Sequence, residues 1–254
     1  MSWEKDLNGK VALVTGGAER VGEVICRALA RAGADVAVNH LDTPQAAEAT
    51  VEAIHGEGRR GVALQADISS PAQGRRLVER TVGELGRLDI LVHNASTFVQ
   101  RPFLELTEDD YEASVGVGLR GPFFLSQAAA AAMLEQGGGK IIALIGNSLY
   151  EAWPDYVSHA VAKAGLARLV ELLAVALSPT IQCLAVAPDR VLWTSPEHDA
   201  HQRGAREEGL VTLDGVPFRT GTADDVAHLI VDLCLAGPYL NGAVIPLDGG
   251  KSRH

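Results

Sequence analysis

The sequence predicts a single α/β domain over residues 1–254: a doubly wound parallel sheet of about seven strands with helices on both faces. Three observations predict it. Short apolar runs alternate with helical patterns along the whole chain, which implies parallel strands joined by crossover helices. The first of these runs passes through a glycine turn directly into a helix start. No linker, repeat or composition break divides the 254 residues, a length that one α/β domain can occupy while burying a large core.

Taken in order, apolar runs at 11–15, 34–39, 61–66, 88–93, 140–145, 181–187 and 243–247 read as strands. Continuous apolarity, rather than alternation, suits strands covered on both faces. Helical patterns lie between them near 20–32, 44–57, 70–85, 107–135, 155–178 and 222–236. The alanine run at 128–132 is helix-favouring sequence inside one of them. The stretch 189–219, rich in Pro, Gly, His and charge, breaks the pattern. Ligands in such folds bind beyond the carboxyl ends of the strands, so this stretch is expected to be a substrate lid.

The chemistry begins at residues 10–22. Val11, Ala12, Leu13 and Val14 form the strand, Gly16 and Gly17 permit a tight turn, and Val21, Gly22, Ile25 and Leu29 begin the helix. Unpaired backbone N–H groups and the positive end of the helix dipole then face one point, an anion site suited to a dinucleotide pyrophosphate. A βα turn using glycine for geometry alone is the alternative.

Bulk properties narrow the class. A net charge of −10 argues against nucleic-acid binding. Cys26, Cys183 and Cys234 are scattered among apolar neighbours without metal-ligand spacing, which fits buried thiols in a reducing compartment. The first six residues lack the apolar core of a signal peptide and no run reaches transmembrane length, so no membrane partner and a cytoplasmic location are expected. His198, Asp199 and His201 lie close in sequence, but without further ligands they read as solvated loop residues and no metal is expected.

Five motifs in order resemble the short-chain dehydrogenase/reductase superfamily, nearly end to end. They are Thr15-Gly16-x-x-x-Arg20-x-Gly22, Asp67-Ile68, His93-Asn94-Ala95-Ser96, Ala187-Pro188-Asp189-Arg190-Val191 and Pro246-Leu247-Asp248-Gly249-Gly250. Arg20 stands where a glycine is commonest, as in the pteridine reductase branch; the ketoacyl reductase branch is also similar. The resemblance implies a Rossmann-type fold, an NAD(P)-dependent oxidoreductase acting on a small molecule, and a homotetramer or homodimer. It places Thr15, Gly16, Arg20, Val21 and Gly22 at the phosphates, Asp67 and Ile68 at the adenine, and Asn94, Ala95, Pro188 and Val191 along the cofactor. Lys163 would bind the nicotinamide ribose. His40 stands where NAD-preferring relatives carry an acid, which with Arg20 favours NADP(H). Asp42 dissents, so NAD(H) is the alternative.

The same resemblance exposes a departure. Members usually carry Ser, Tyr and Lys, with Tyr four residues before Lys, and an Asn on the preceding helix. Here Lys163 is present, but His159 stands at the tyrosine, Gly146 at the serine and Gly118 at the asparagine. Asn147, Ser148 and Tyr156 are the neighbours able to compensate. A phenol beside a lysine ammonium suits proton donation to an alkoxide, whereas an imidazole donates only when protonated. Lys163, one turn away, should lower the His159 pKa. Ketone reduction is therefore handicapped, while an iminium, already positive, needs hydride and no acid. The leading expectation is an oxidoreductase for a small carbonyl, imine or related compound. A non-redox lyase, isomerase or cyclase and a silent subunit supporting an active partner are the alternatives. Each residue also has a plainer reading: His159 as a polar helix residue, Lys163 and Arg20 as surface cations, Asn94 as a turn residue, Asp67 as a cap.

Overall fold

The computed structural model describes residues 6–189, 191–192, 210–213 and 216–253. The main sheet has seven parallel strands: β1 (Val11–Val14), β2 (Asp35–His40), β3 (Gly61–Gln65), β4 (Ile90–His93), β5 (Gly139–Leu144), β6 (Ile181–Pro188) and a last strand at Val244–Leu247. Their order is β3-β2-β1-β4-β5-β6 followed by the last strand, so the direction of winding reverses between β1 and β4. That reversal opens a crevice at the carboxyl ends of β1 and β4, where the glycine turn lies.

Alternation of side chains within each buried strand divides the core in two. Leu13, Leu91, Ile141 and Cys183 face one layer with Leu77, Leu125, Met133 and Leu166. Ala12, Val14, Val92, Ile142 and Leu184 face the other with Ile25, Leu29, Ile54 and Ile230. The first layer is formed by helices α3 (Pro71–Leu85), α5 (Gly121–Glu135) and α6 (Val157–Ala176). The second is formed by α1 (Arg20–Arg31), α2 (Pro44–Gly56) and α7 (Ala223–Leu235). All three cysteines are free and buried, as expected; burial pushes Cys183 and Cys234 up to about 12. Among the described residues no helix is long and apolar enough to cross a membrane.

Two expectations need correction. The helix expected over 107–135 is divided into α4 (Glu108–Val115), a π-helical turn at Gly116–Arg120, and α5. Pro122 in the first turn of α5 has no N–H, and Gly121 donates instead to Gly116 O, five residues back. A Cβ on Gly121 would lie 2.5 Å from Ile68 O, so only glycine brings the turn this close to the end of β3. The stretch 189–219 is not wholly irregular where described. Here β7 (Val191–Leu192) pairs in parallel with β10 (Gly221–Thr222), and β8 (Leu210–Leu213) forms a hairpin with β9 (Val216–Arg219). The last strand of the main sheet is thus β11. Residues 190, 193–209 and 214–215 of the expected lid lie outside the described residues, as do His198, Asp199 and His201.

Candidate active site

The glycine turn is fastened from two sides. Gly17 N donates to Asn39 O at 2.9 Å and Gly16 N to Asn39 Oδ1 at 3.3 Å. From the residue after β4, Asn94 Nδ2 donates to Thr15 O and Gly16 O, both at 2.9 Å. Asn39 is a role that sequence reading missed. Its signal is an amide directly after the apolar run 36–38 in a buried part of the strand, where Nδ2 also reaches the carbonyls of His40, Leu64 and Ala66.

The residues expected at a cofactor also make contacts within the fold. Thr15 is fully buried; its hydroxyl donates to Val92 O and accepts from Asn94 N and Ala95 N, so it joins β1 to β4. Asn94 and Ala95 brace the turn through the same bonds. Ile68 is a core residue. Asp67 Oδ1 accepts from Ser69 N, in an Asx turn that begins α3. Gly22, by contrast, lies against the turn: a Cβ there would be 2.1 Å from Gly16 O and 2.6 Å from Asn94 Nδ2. Val21 is half-buried beside it, and Pro188 and Val191 are half-buried at the end of β6 and start of β7.

Arg20 is the one described non-glycine residue with positive φ, at 57°. An L-residue held in this left-handed region costs roughly 1–2 kcal/mol. Arg20→Gly is therefore expected to raise stability by about 1 kcal/mol, net of glycine's backbone entropy. It should also weaken binding of a phosphate-bearing cofactor. Thermal unfolding with and without NADPH checks both halves; an unchanged or lower melting temperature would remove strain from the account.

The second cluster gathers around α6. His159 is 3 % exposed, and its Nδ1 lies 3.0 Å from Thr97 O. A carbonyl can only accept, so Nδ1 carries the proton and neutral His159 presents Nε2 as a lone pair. Its ring stacks on Phe98, centroids 4.3 Å apart, and lies nearly parallel to Trp153 at 6.4 Å. Tyr156 packs edge-on to both aromatics, so it joins the same cluster. Burial, then the charge of Lys163, lower the His159 pKa to about 4, against which the Thr97 bond acts. Lys163 is buried, donates to Leu144 O at 2.8 Å, and is lowered by burial to about 8. Deeper still, His93 Nε2 pairs with Ser126 Oγ at 2.8 Å while Nδ1 has no partner; burial and Lys163 push it down to about 3.

The two glycine replacements are built into the backbone. Gly146 has φ 76° and ψ 162°, a region open almost only to glycine. Gly118 sits in the π turn, where a Cβ would lie 3.0 Å from Ala162 Cβ of α6. Just beyond Gly146, the Asn147 amide and the Ser148 hydroxyl are buried without hydrogen-bond partners. Buried polar atoms of this kind are costly unless something satisfies them. The glycine cradle, the left-handed Arg20 and these unpartnered atoms together fit a dinucleotide and a polar substrate. Among the described residues no group of His, Cys, Asp or Glu is placed to hold a metal ion.

The chain is similar to known proteins over nearly its whole length. Residues 16–252 match the family model described as enoyl-(acyl carrier protein) reductase. The chain is 35% identical over 252 residues to an L-rhamnose-1-dehydrogenase of Scheffersomyces stipitis, covering 96% of each chain. It is 32% identical over 251 residues to an L-rhamnose 1-dehydrogenase (NAD(P)(+)) of a Sphingomonas species, covering 97% of each. A short-chain dehydrogenase from Burkholderia cenocepacia, crystallised with NADP, superposes with a TM-score of 0.85 at 35% identity, over 98% of this chain and 99% of that one.

Proposed function

Because the chain belongs to the short-chain dehydrogenase/reductase superfamily, we propose that it is an NADP(H)-using oxidoreductase in which a neutral His159 replaces the tyrosine. The observation that carries this reading is the Thr97 carbonyl on Nδ1, which leaves Nε2 as a proton acceptor. Such a group favours oxidation of a hydroxyl to a carbonyl over the reverse. The substrate class we assign is a small polyhydroxylated compound, supported by the sugar dehydrogenases among its relatives and by the unpartnered Asn147 and Ser148.

Gly16, Arg20, Val21 and Gly22 would hold the pyrophosphate at the start of α1, with Asp67 and Ile68 toward the adenine. His40, buried with Nδ1 unpartnered, and Arg20 would favour a 2′-phosphate. Lys163 would serve the nicotinamide ribose with N–H groups beyond the one spent on Leu144. Bound nicotinamide supplies or accepts the hydride. His159 Nε2 takes the substrate hydroxyl proton as the carbonyl forms, and Thr97 O holds the imidazole in the correct tautomer. Asn147 and Ser148 bind the substrate's oxygens. Phe98 and Trp153 offer apolar faces and keep water from the imidazole.

The test is direct. Purified protein with NADP+ and a panel of aldoses and polyols should form NADPH, and fluorescence titration should give tighter NADPH than NADH binding. Substrate turnover without redox change would favour lyase or isomerase chemistry. Binding of neither cofactor would sink the oxidoreductase reading. We also propose a homo-oligomer, a tetramer or dimer. On the α5 and α6 faces, Leu125, Leu166 and Leu169 are core residues, while Phe123, Leu134, Val161, Leu172 and Val175 remain exposed. Sedimentation at 26.8 kDa alone, at micromolar concentration, would exclude it.

A further inference from the structure

The last turn of the chain reaches into the site. Lys251 Nζ lies 3.1 Å from Glu151 Oε1 and 3.2 Å from Asp189 Oδ2. The three side chains are 18%, 27% and 20% exposed, so solvent screens these pairs only in part. Asp189 directly follows β6. Glu151 follows β5, and its other oxygen accepts from Trp153 Nε1 at 3.3 Å. Trp153 in turn lies parallel to the His159 ring. The tail is fixed for this reach: Asp248 accepts from Gly250 N and Ser252 N, which folds residues 248–252 into a turn.

We propose that Lys251 is a positioning residue for the reaction: by bridging Asp189 and Glu151 it joins the loops after β6 and β5, and through Glu151 it sets the Trp153 ring against His159. This rests on the function proposed above, but the link itself is physical and can be read without turnover. Lys251 is the counter-ion of the Asp189 carboxylate. Without the ammonium, two carboxylates face each other and the loops separate. Trp153 then loses its register on His159, and misplacement near 1 Å at a reacting group costs up to about a hundredfold in rate.

The experiment uses the full chain labelled with 5-fluorotryptophan, the Trp153 fluorine signal being assigned by Trp153→Phe. Lys251→Met and Glu151→Gln are each expected to move that signal, while Lys251→Arg leaves it in place. With a competent substrate, Lys251→Met should lower kcat/KM on the order of tenfold, and adding Glu151→Gln should lower it little further, since both act through one link. A Trp153 signal unmoved in Glu151→Gln overturns the proposal, and that variant decides if Lys251→Met does not fold. If no substrate is oxidised, the function proposed above fails while the fluorine spectra still decide the link.

Discussion

Acidification from pH 6.5 to pH 4 is expected to remove on the order of 5 kcal/mol of stability, with His93 carrying about half. His93 is held near 3 and His159 near 4 in the folded chain, while an unfolded histidine titrates near 6.5. Between those values the unfolded state takes up protons that the folded state refuses. Stability present above pH 6.5 is therefore lost as the pH falls, by about 1.4 kcal/mol per unit for each group. Asp225, held near 2, loses its own contribution only below the ordinary carboxylate range, so the window from 6.5 to 4 belongs to the histidines. Domains are stable by only 5–15 kcal/mol, which makes this loss decisive. His93→Asn removes the titrating group and keeps a polar side chain able to meet Ser126. Urea titrations at pH 6.5, 5 and 4 should show about half the pH dependence in that variant. An unchanged dependence would mean that His93 is not the origin.

The second large effect concerns His159. Only about 3% of a group with pKa near 4 is protonated at pH 5.5, so the imidazolium needed for ketone reduction forms mainly below pH 5. The sequence alone suggests gain of reduction on the way from neutral pH to about 5.5; burial of the ring moves that window to where the fold is failing. Oxidation needs the neutral ring and should hold level from about pH 5 to about 8, where Lys163 titrates. The ring is faced by Phe98, Trp153 and the Thr97 carbonyl, and the charge acting on it is that of Lys163 of α6. His159→Phe keeps the stack on Phe98 and should lower kcat for oxidation by about 10²–10⁴. His159→Tyr places a phenol above Lys163 and should recover ketone reduction at neutral pH. If His159→Phe changes neither rate nor pH profile, the proton passes instead through Tyr156, Ser148 or water.

The strands were legible because a sheet covered on both faces demands short apolar runs, and 141–145 and 183–187 supply them, with Lys140 and Gln182 near the strand starts. The π turn was not, since Gly116, Gly118 and Gly121 look like tolerated small residues until Ile68 O and Ala162 are seen against them. At the site, the glycine turn follows from spacing along a single stretch, and Lys163 and His159 from the resemblance to the family's motif. Asn39, Thr97, Trp153 and Lys251 do not. For Asn39, Thr97 and Lys251 the partners lie on other elements, at separations from 23 residues for Asn39 to Gly16 up to 100 for Lys251 to Glu151, which local pattern does not record; Trp153 has near neighbours, but an aromatic in a loop does not show that it stacks on His159.

The contact between Gly118 and Ala162 bears on how this site can change. Asparagine at 118 requires α6 to retreat, and α6 carries His159 and Lys163. Serine at 146 must adopt φ 76°, at a cost of about 1–3 kcal/mol. Each step taken singly toward the usual tetrad thus lowers stability before the remaining partners exist to reward it. Among single substitutions, the mutational path back is open at position 159 and obstructed at 118 and 146. A library that varies 118, 146 and 162 together reaches sequences that stepwise selection would discard.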